Sequence, residues 1–554
     1  TEAQMDELWR LRVKNDAISL MLSGKGETWQ QAATTLRKRY QNVLRRIGEV
    51  SPEDVFEALM NSYCAAYDPH SNYFSPRSSE EYRIQMSGSY EGIGASLGQT
   101  DDYVTVSGVL PGGPAAADGT LKPNDRITAV GQGATGPLVD IVGWRLDDVV
   151  QLIRGKEGSV VRLQILPAGA TPGTPERTLS LTRNKVTLQS QAPKEEVRHI
   201  MRDGRTYKIG IITIPIFYND MEDSGGGGTA NHSTTNDVRR LLQQLSAGGG
   251  VDALVLDLRG DGGGYLPEAI GLTHLFVNHG PVVQLRDTTG QLEVLDQPDS
   301  GQVYSGPLAV LVDRTSASAS EIFAGAIQDY HRGLIIGQTT FGKGTVQSVI
   351  PLNRWSSTPV EGQVTVTIGK FYRVTGESTQ LRGVTPDIML PSPISLTDTG
   401  ESMMDNALPW DRIAPAAFHA LPPFGTLVQT LASEQSARAM HNSDYQWLLA
   451  SLAVLNAARQ EKTLSLNLKV RRQERTMDDQ TRLVEENLRR SAHGLPALKS
   501  VADIEAADEP DVVLAQAVDV MADDVAARAG LAPRPQLQQA SVRSTRTADV
   551  RPVH

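Results

Sequence analysis

The sequence predicts a multidomain α/β protein with helical ends, and three observations carry that expectation. Its 554 residues exceed what one hydrophobic core holds and suggest roughly three to four domains. Apolar residues recur with a helical period at both ends but with a strand period between about 88 and 185. From about 205 to 390, short apolar strands alternate with helices, the pattern of an α/β core.

Taken in order, residues 1–80 read as a helical region. Leu8, Leu11 and Ala17 stand at helical spacing, and Ser51 precedes Glu53 and Asp54 as an N-cap before a first turn. The stretch 68–78, DPHSNYFSPRS, is turn-rich and reads as a connector. Residues 85–185 form a small module: YVTVSGVL, RITAV and SVVRLQIL are strands, and GWRLDDVVQLIRG is a helix closed by Gly155. Within 200–395, YKIGIITI, VDALVLDL, PLAVLVD, GLIIG and GQVTVTIGKFYRV read as strands. GYLPEAIGLTHLF and SEIFAGAIQDY read as helices, as does NDVRRLLQQLSAGG after the flexible loop MEDSGGGGTANHSTT. Residues 396–530 are helical and charged, with TLSLNLKVRRQ as one candidate extra strand, and 531–554 lack the apolar content to fold.

A net charge of −11 argues against a nucleic-acid binder, which needs a basic face for phosphates. The single cysteine, Cys64, excludes an intramolecular disulfide. No apolar run approaches the ~20 residues of a membrane span. The opening TEAQMDELWR is not a signal peptide and leaves the compartment open.

The stretch VDRTSASASEIFAGAIQDY, 312–330, sets Ser318 and Ser320 between an apolar strand and an apolar helix. Unpaired N–H groups at a helix N-terminus favour negative charge, so a serine there could be a nucleophile with help for an oxyanion. It could equally cap the helix, with Glu321 in the first turn. A nucleophilic serine needs a base. His331, thirteen residues beyond Ser318, would lie ~20 Å away along a helix and is rejected. His232, His274 and His279 have no distinctive setting. Lys343, between two glycines just after a buried strand, could lose its proton if held away from water.

Two further stretches invite other readings. Gly337, Gly342 and Lys343 fit G-x-x-x-x-G-K, but Gly344 replaces the metal-binding hydroxyl and a strand follows where a phosphate loop needs a helix. LDLRGDGGGYL, 256–266, ends a strand in a glycine turn. Its N–H groups could form an anion-binding nest, or the turn could merely connect strand to helix.

Several long motifs in one order resemble the tail-specific, or C-terminal processing, proteases, a group of serine–lysine peptidases with a PDZ domain. DPHSNYFSP resembles the motif ahead of the PDZ domain, and EGIGASLG, VLPGGPAAADGTLKPNDRITAVG and GWRLDDVVQLIRG resemble that domain. LDLRGDGGG, VDRTSASASEIFAGAIQDY, GQTTFGKGTVQ and GVTPDIMLP resemble the protease core, and ALPWD resembles the long members with a helical C-terminal extension. The resemblance implies a PDZ module inserted before an α/β core with a crotonase-like (ClpP-like) sheet. It also implies that residues are missing upstream of a helical N-terminal part.

Carried over by position, Ser318 is the nucleophile, Lys343 the general base and Gln347 the residue that orients the lysine. A straight strand would separate Gln347 from Lys343 by ~13 Å, so a bend at Gly344 is expected. Asp329 matches an aspartate linked to activity, but ~16 Å of helix separates it from Ser318 and makes it a structural support. The implied oxyanion donors are the backbone of Ala319 and of Gly263 or Gly264; Gly260-Asp261 stands where members often have a polar residue and Asn.

The PDZ loop that grips a C-terminal carboxylate would be Gly92, Ile93, Gly94 and Ala95. Val149, Val150 and Ile153 would line an apolar pocket or the module's core. The implied function is an ATP-independent serine endopeptidase of the bacterial periplasm that reads apolar C-terminal tails and works through an acyl-enzyme. It needs no cofactor, metal or nucleotide, and its partners are protein substrates and a lipoprotein adaptor. The rivals are a non-catalytic peptide-binding scaffold and a nucleotide-dependent enzyme.

Overall fold

The computed structural model describes residues 1–23, 28–170, 174–202, 204–220, 232–297, 301–355, 362–505 and 509–528. Residues 221–231 of the expected loop 221–235 and the tail 531–554 lie outside them; the end of that loop is already helix, which starts at Thr234.

Three helices open the chain, Glu2–Leu22, Trp29–Gly48 and Pro52–Ala65. Ser51 caps the third as expected: its Oγ accepts from Asp54 N at 3.1 Å, and Asp54 Oδ2 accepts from Ser51 N at 2.9 Å. Leu8 and Leu11 are exposed while Ala17 is buried, so only part of the apolar stripe finds a partner. The connector at 68–78 carries more structure than its turn residues suggest. Asn72–Phe74 pairs antiparallel with the long strand Gln363–Tyr372, and a helix, Pro76–Ser87, starts within it. A short strand gains its bonds from a distant partner, a cue that local composition does not hold.

The small module is an antiparallel sheet in the order Ala95–Thr100, Tyr103–Val109, Arg126–Gln132, Val160–Leu166, Arg177–Thr182, with Leu138–Asp140 alongside and the helix Leu146–Ile153 packed against it. Its entry and exit strands, Ser89–Gly92 and Asn184–Thr187, pair with each other, so the module hangs from the rest by a two-stranded stalk. Arg145 of the module donates to Asp54 Oδ2 (2.8 Å) and ties it to the third helix.

The core sheet runs Lys194–Arg202, Arg205–Thr213, Ala253–Asp257, Leu308–Val312, Leu334–Gly337, Ile388–Met389, parallel except for the first pair. Its central strands are buried on both faces, which is why they read as unbroken apolar runs. Alternate side chains enter two cores. Leu254, Leu256, Val310 and Val312 pack under the helices that carry Phe323 and Leu272. Val255, Ala309 and Leu311 pack under Val512–Arg528, the last described helix, through Leu514, Ala517 and Met521. The C-terminal extension thus returns to close the second face of the core. TLSLNLKVRRQ is not a strand: Leu468–Ala492 is a helix capped by Asn467, whose Oδ1 accepts from Lys469 N at 2.9 Å, and 463–467 pair with no strand among the described residues. Among the described residues no helix is long and apolar enough to cross a membrane.

Candidate active site

The serine stretch is a turn built on Asp313. Its Oδ1 accepts from Thr315 N (2.8 Å), Thr315 Oγ1 (2.7 Å) and Ser316 N (3.2 Å). The three serines that follow then separate by environment. Ser316 and Ser320 are fully buried, and their hydroxyls donate to the carbonyls of Leu258 (2.8 Å) and Asp261 (3.0 Å). Ser318 alone is half-buried. It is the N-cap of the helix Ala319–Asp329, with its hydroxyl in capping-box order to the Glu321 amide but closing no cap hydrogen bond. Its backbone sits at φ +56°, ψ −111°, a region that costs a non-glycine residue about 1–3 kcal/mol and persists only where the surroundings impose it.

Lys343 lies in the loop between Leu334–Gly337 and Thr345–Pro351. Its flanking glycines are obligatory for contact: a Cβ on Gly342 would come within 3.0 Å of the Leu381 carbonyl carbon, and one on Gly344 within 2.8 Å of Gln380 N. The loop runs into a strand, so no helix N-terminus is available to cradle a phosphate. Lys343 Nζ donates to Gln347 Oε1 at 2.6 Å. Gln347 Nε2 in turn donates to Thr345 Oγ1 and Thr367 Oγ1, both at 3.0 Å, and Thr367 Oγ1 donates to Asp68 Oδ1 at 2.8 Å. Loss of water lowers the Lys343 pKa, against the carboxylates of Glu401, Glu321 and Asp68, which favour its charged form.

Glu321 joins the two turns. It is fully buried. Its Oε2 accepts from the amides of Ser318 and Lys343, each at 2.9 Å, and its Oε1 from Gly342 N (2.7 Å) and Thr340 Oγ1 (2.6 Å). Burial raises its pKa to about 7, against those hydrogen bonds. The sequence reading saw Glu321 only as a first-turn residue. The Ser-x-x-Glu spacing of a capping box was the available signal.

Further side chains hold the lysine loop that its sequence does not flag. Gly344 N donates to Gln380 Oε1 (2.7 Å), Gln380 Nε2 to Glu401 Oε1 (2.8 Å), and Glu401 Oε2 meets His70 Nε2 at 2.7 Å. DPHSNYFSP therefore braces the lysine loop from both sides, through Asp68 and through His70.

The glycine turn abuts the serine. Gly263 has φ +99°, and a Cβ there would lie 2.8 Å from Ser318 Cβ and 2.9 Å from Ala319 N. Its amide donates to Asp261 Oδ1 at 2.8 Å. At Gly264, φ +148°, a Cβ would fall 2.0 Å from the Phe217 carbonyl oxygen. The ladder bonds beside it use Gly263 O and Tyr265 N, and among the described residues its own N–H has no acceptor. Ala319 is the first helical residue, so its N–H is an orphan donor.

Asp329 sits at the far end of the same helix, paired with Arg373 at 2.6 Å and 3.0 Å. His331 Nδ1 lies 2.9 Å from the Leu421 carbonyl oxygen. In the module, Gly94 (φ +73°) packs so tightly on Gly113 that a Cβ would lie 2.8 Å from its Cα, and Ile93 is buried in the core. Gly92 ends the stalk strand, and Ala95 starts the strand beside the helix. Val149 and Ile153 are core residues, not pocket lining; Val150 is half-buried.

Residues 1–77 match the tail specific protease N-terminal domain, 81–166 the PDZ domain, 208–390 Peptidase family S41, and 394–540 the C-terminal domain of tail specific protease. The chain is 41% identical over 532 residues to the tail-specific protease of Haemophilus influenzae, covering 95% of this chain and 73% of that one. It is 29% identical to the chloroplastic C-terminal processing peptidase of Tetradesmus obliquus, over 71% of this chain and 78% of that one. A solved photosystem II D1 C-terminal processing protease is 26% identical, covers 69% of this chain and 92% of its own, and has a TM-score of 0.34. A Vibrio cholerae carboxy-terminal protease PDZ domain, solved with a peptide, is 48% identical, covers 18% of this chain and 99% of its own, and has a TM-score of 0.17. On the sequence matches, the chain belongs to the tail-specific proteases, PDZ-bearing serine peptidases of the S41 family.

Proposed function

We propose that this chain is an ATP-independent endopeptidase that takes proteins by apolar C-terminal tails and cleaves them with a serine–lysine pair. Ser318 Oγ attacks the scissile carbonyl while Lys343 Nζ takes its proton. The oxyanion is received by Ala319 N–H and the glycine turn, and strained, water-poor surroundings make those donors effective. Lys343 returns the proton to the leaving amine, and water, activated by the same lysine, releases the acyl group. Gln347 fixes the lysine, and Asp329 supports the serine helix through Arg373.

The observation that carries this reading is the shared carboxylate oxygen: Glu321 Oε2 takes the amides of Ser318 and Lys343 at equal length. It ties the main chains of the proposed nucleophile and base, from two separate loops, to one oxygen. Tails are received as an added strand along Ala95–Thr100, with the carboxylate at Gly92–Ala95 and an apolar side chain toward Val150. The proposed compartment is the bacterial periplasm, with a lipoprotein adaptor as a partner, testable by fractionation and co-purification.

One unstable test protein, ending in -LAA or in -DDD, tests the reading against wild type and Ser318→Ala. Wild type degrades the -LAA form far faster, and Ser318→Ala degrades neither. Cleavage by Ser318→Ala would refute the mechanism, and equal loss of both tails would refute the tail selection.

A further inference from the structure

The turn 258–264 holds a carboxyl group that the mechanism above leaves idle. Asp261 is wholly buried, and its Oδ2 has no hydrogen-bond partner. Its other atoms stitch the glycine turn to the serine turn. Oδ1 takes the Gly263 amide at 2.8 Å, and the main-chain oxygen takes Ala317 N and Ser320 Oγ, both at 3.0 Å. Gly263 in turn lies directly against Ser318 and the Ala319 amide. One side-chain oxygen thus fixes the Gly262–Gly263 peptide, while the main-chain oxygen ties the preceding peptide to the serine turn.

We propose that Asp261 is a positioning residue for the oxyanion site, acting through Gly263. As an uncharged acid it holds the glycine turn against Ser318, and its ionisation disables the site. This inference rests on reading Ser318 as the nucleophile.

The charge state follows from the surroundings. A buried carboxylate needs several donors or a cation, and Asp261 Oδ1 has one amide while Oδ2 has none. Among the described residues, no ionised side chain compensates it. Asp257 and Arg259 pair with each other. Asp313 is engaged by Gly260 N, Thr315 and Ser316. Glu321 faces the lysine loop instead. Burial accordingly holds the Asp261 pKa well above the carboxylate range. Once ionised, its charge would sit one amide away from the place where the substrate oxygen becomes negative and would oppose that charge in a low dielectric.

The same bond assigns the turn's donor. With its N–H committed to Asp261, Gly263 is the spacer against Ser318, and Gly264 N–H is the group left to pair with Ala319 N–H around an oxyanion.

The test is the pH dependence of kcat and KM for the full chain, with thermal melts alongside. Asp261→Asn keeps an acceptor for Gly263 and cannot ionise. Its kcat should stay within about 3-fold of wild type near neutrality. A fall in wild-type kcat on ionisation of Asp261, above the ordinary carboxylate range, should be absent from it. Asp261→Ala should lose about 30-fold or more in kcat with KM nearly unchanged, and if it does not fold, the Asn variant decides. Wild-type kcat in a folded Asp261→Ala protein would overturn the proposal. So would an Asn variant with a 30-fold loss, or one that keeps that fall. A Ser318→Ala protein that still cleaves would instead mean that the nucleophile reading has failed.

Discussion

Lys343 reaches Gln347 side chain to side chain at 2.6 Å, although they stand four positions apart where a strand begins. The strand Thr345–Pro351 starts only after Gly344, and its register against Gln363–Tyr372 shifts between Val346 and Gln347. That bulge turns Gln347 back toward the lysine and sets it opposite Thr367, its other anchor. Gln347→Ala should leave the fold intact and lower kcat roughly 10- to 100-fold, with little change in KM, because it frees a lysine that must point at Ser318. Steady-state kinetics on a tailed peptide checks this.

Burial makes Lys343 a cost to stability. Its folded pKa lies below the ordinary lysine value because it is removed from water. The unfolded chain therefore binds the proton more tightly, and stability is lost as pH falls through the folded value. Lys343→Met should then be more stable than wild type at pH 6, with the advantage shrinking toward the ordinary lysine pKa and vanishing above it. Denaturant melts at two pH values read the difference.

Glu321→Gln should damage both turns at once. A carboxamide offers one oxygen where the carboxylate takes four donors, so two of the four lose their acceptor. At about 1–3 kcal/mol for each unmet buried group, the loss is about 2–6 kcal/mol. It should be visible in urea melts, together with a fall in kcat.

Asp329 and Arg373 should be equivalent in mutagenesis. They form a largely buried ion pair between the far end of the serine helix and the segment after Gln363–Tyr372. Removing either partner leaves a buried charge, at about 3–5 kcal/mol. Asp329→Asn and Arg373→Gln should therefore lose stability and activity to similar extents. Activity lost only in the aspartate variant would give Asp329 a direct part in the reaction.

Much of this site was legible in the sequence because its parts are local. A buried strand, a turn and a helix place Ser318, and glycines on both sides place Lys343. What was not legible depends on long-range partners. The sequence could not tell Ser318 from Ser316 and Ser320 on composition, because the distinction comes from the carbonyls of Leu258 and Asp261, some sixty residues upstream. The role of DPHSNYFSP was invisible because Asp68 and His70 meet residues about three hundred positions away. Val149 and Ile153 were open between pocket and core, and the buried face of their helix took both. The candidate strand in TLSLNLKVRRQ failed because alternation alone supplies no neighbouring strand.

Lys343 as the base for Ser318 is the step on which every other one depends. The most direct test is the single-turnover rate of peptide-bond cleavage by wild type and Lys343→Ala, followed from about pH 6 upward. The wild-type rate should climb as Lys343 loses its proton, and Lys343→Ala, though folded, should cleave at no pH. Cleavage by that variant, or a wild-type rate that stays flat through this range with chemistry limiting, would contradict it.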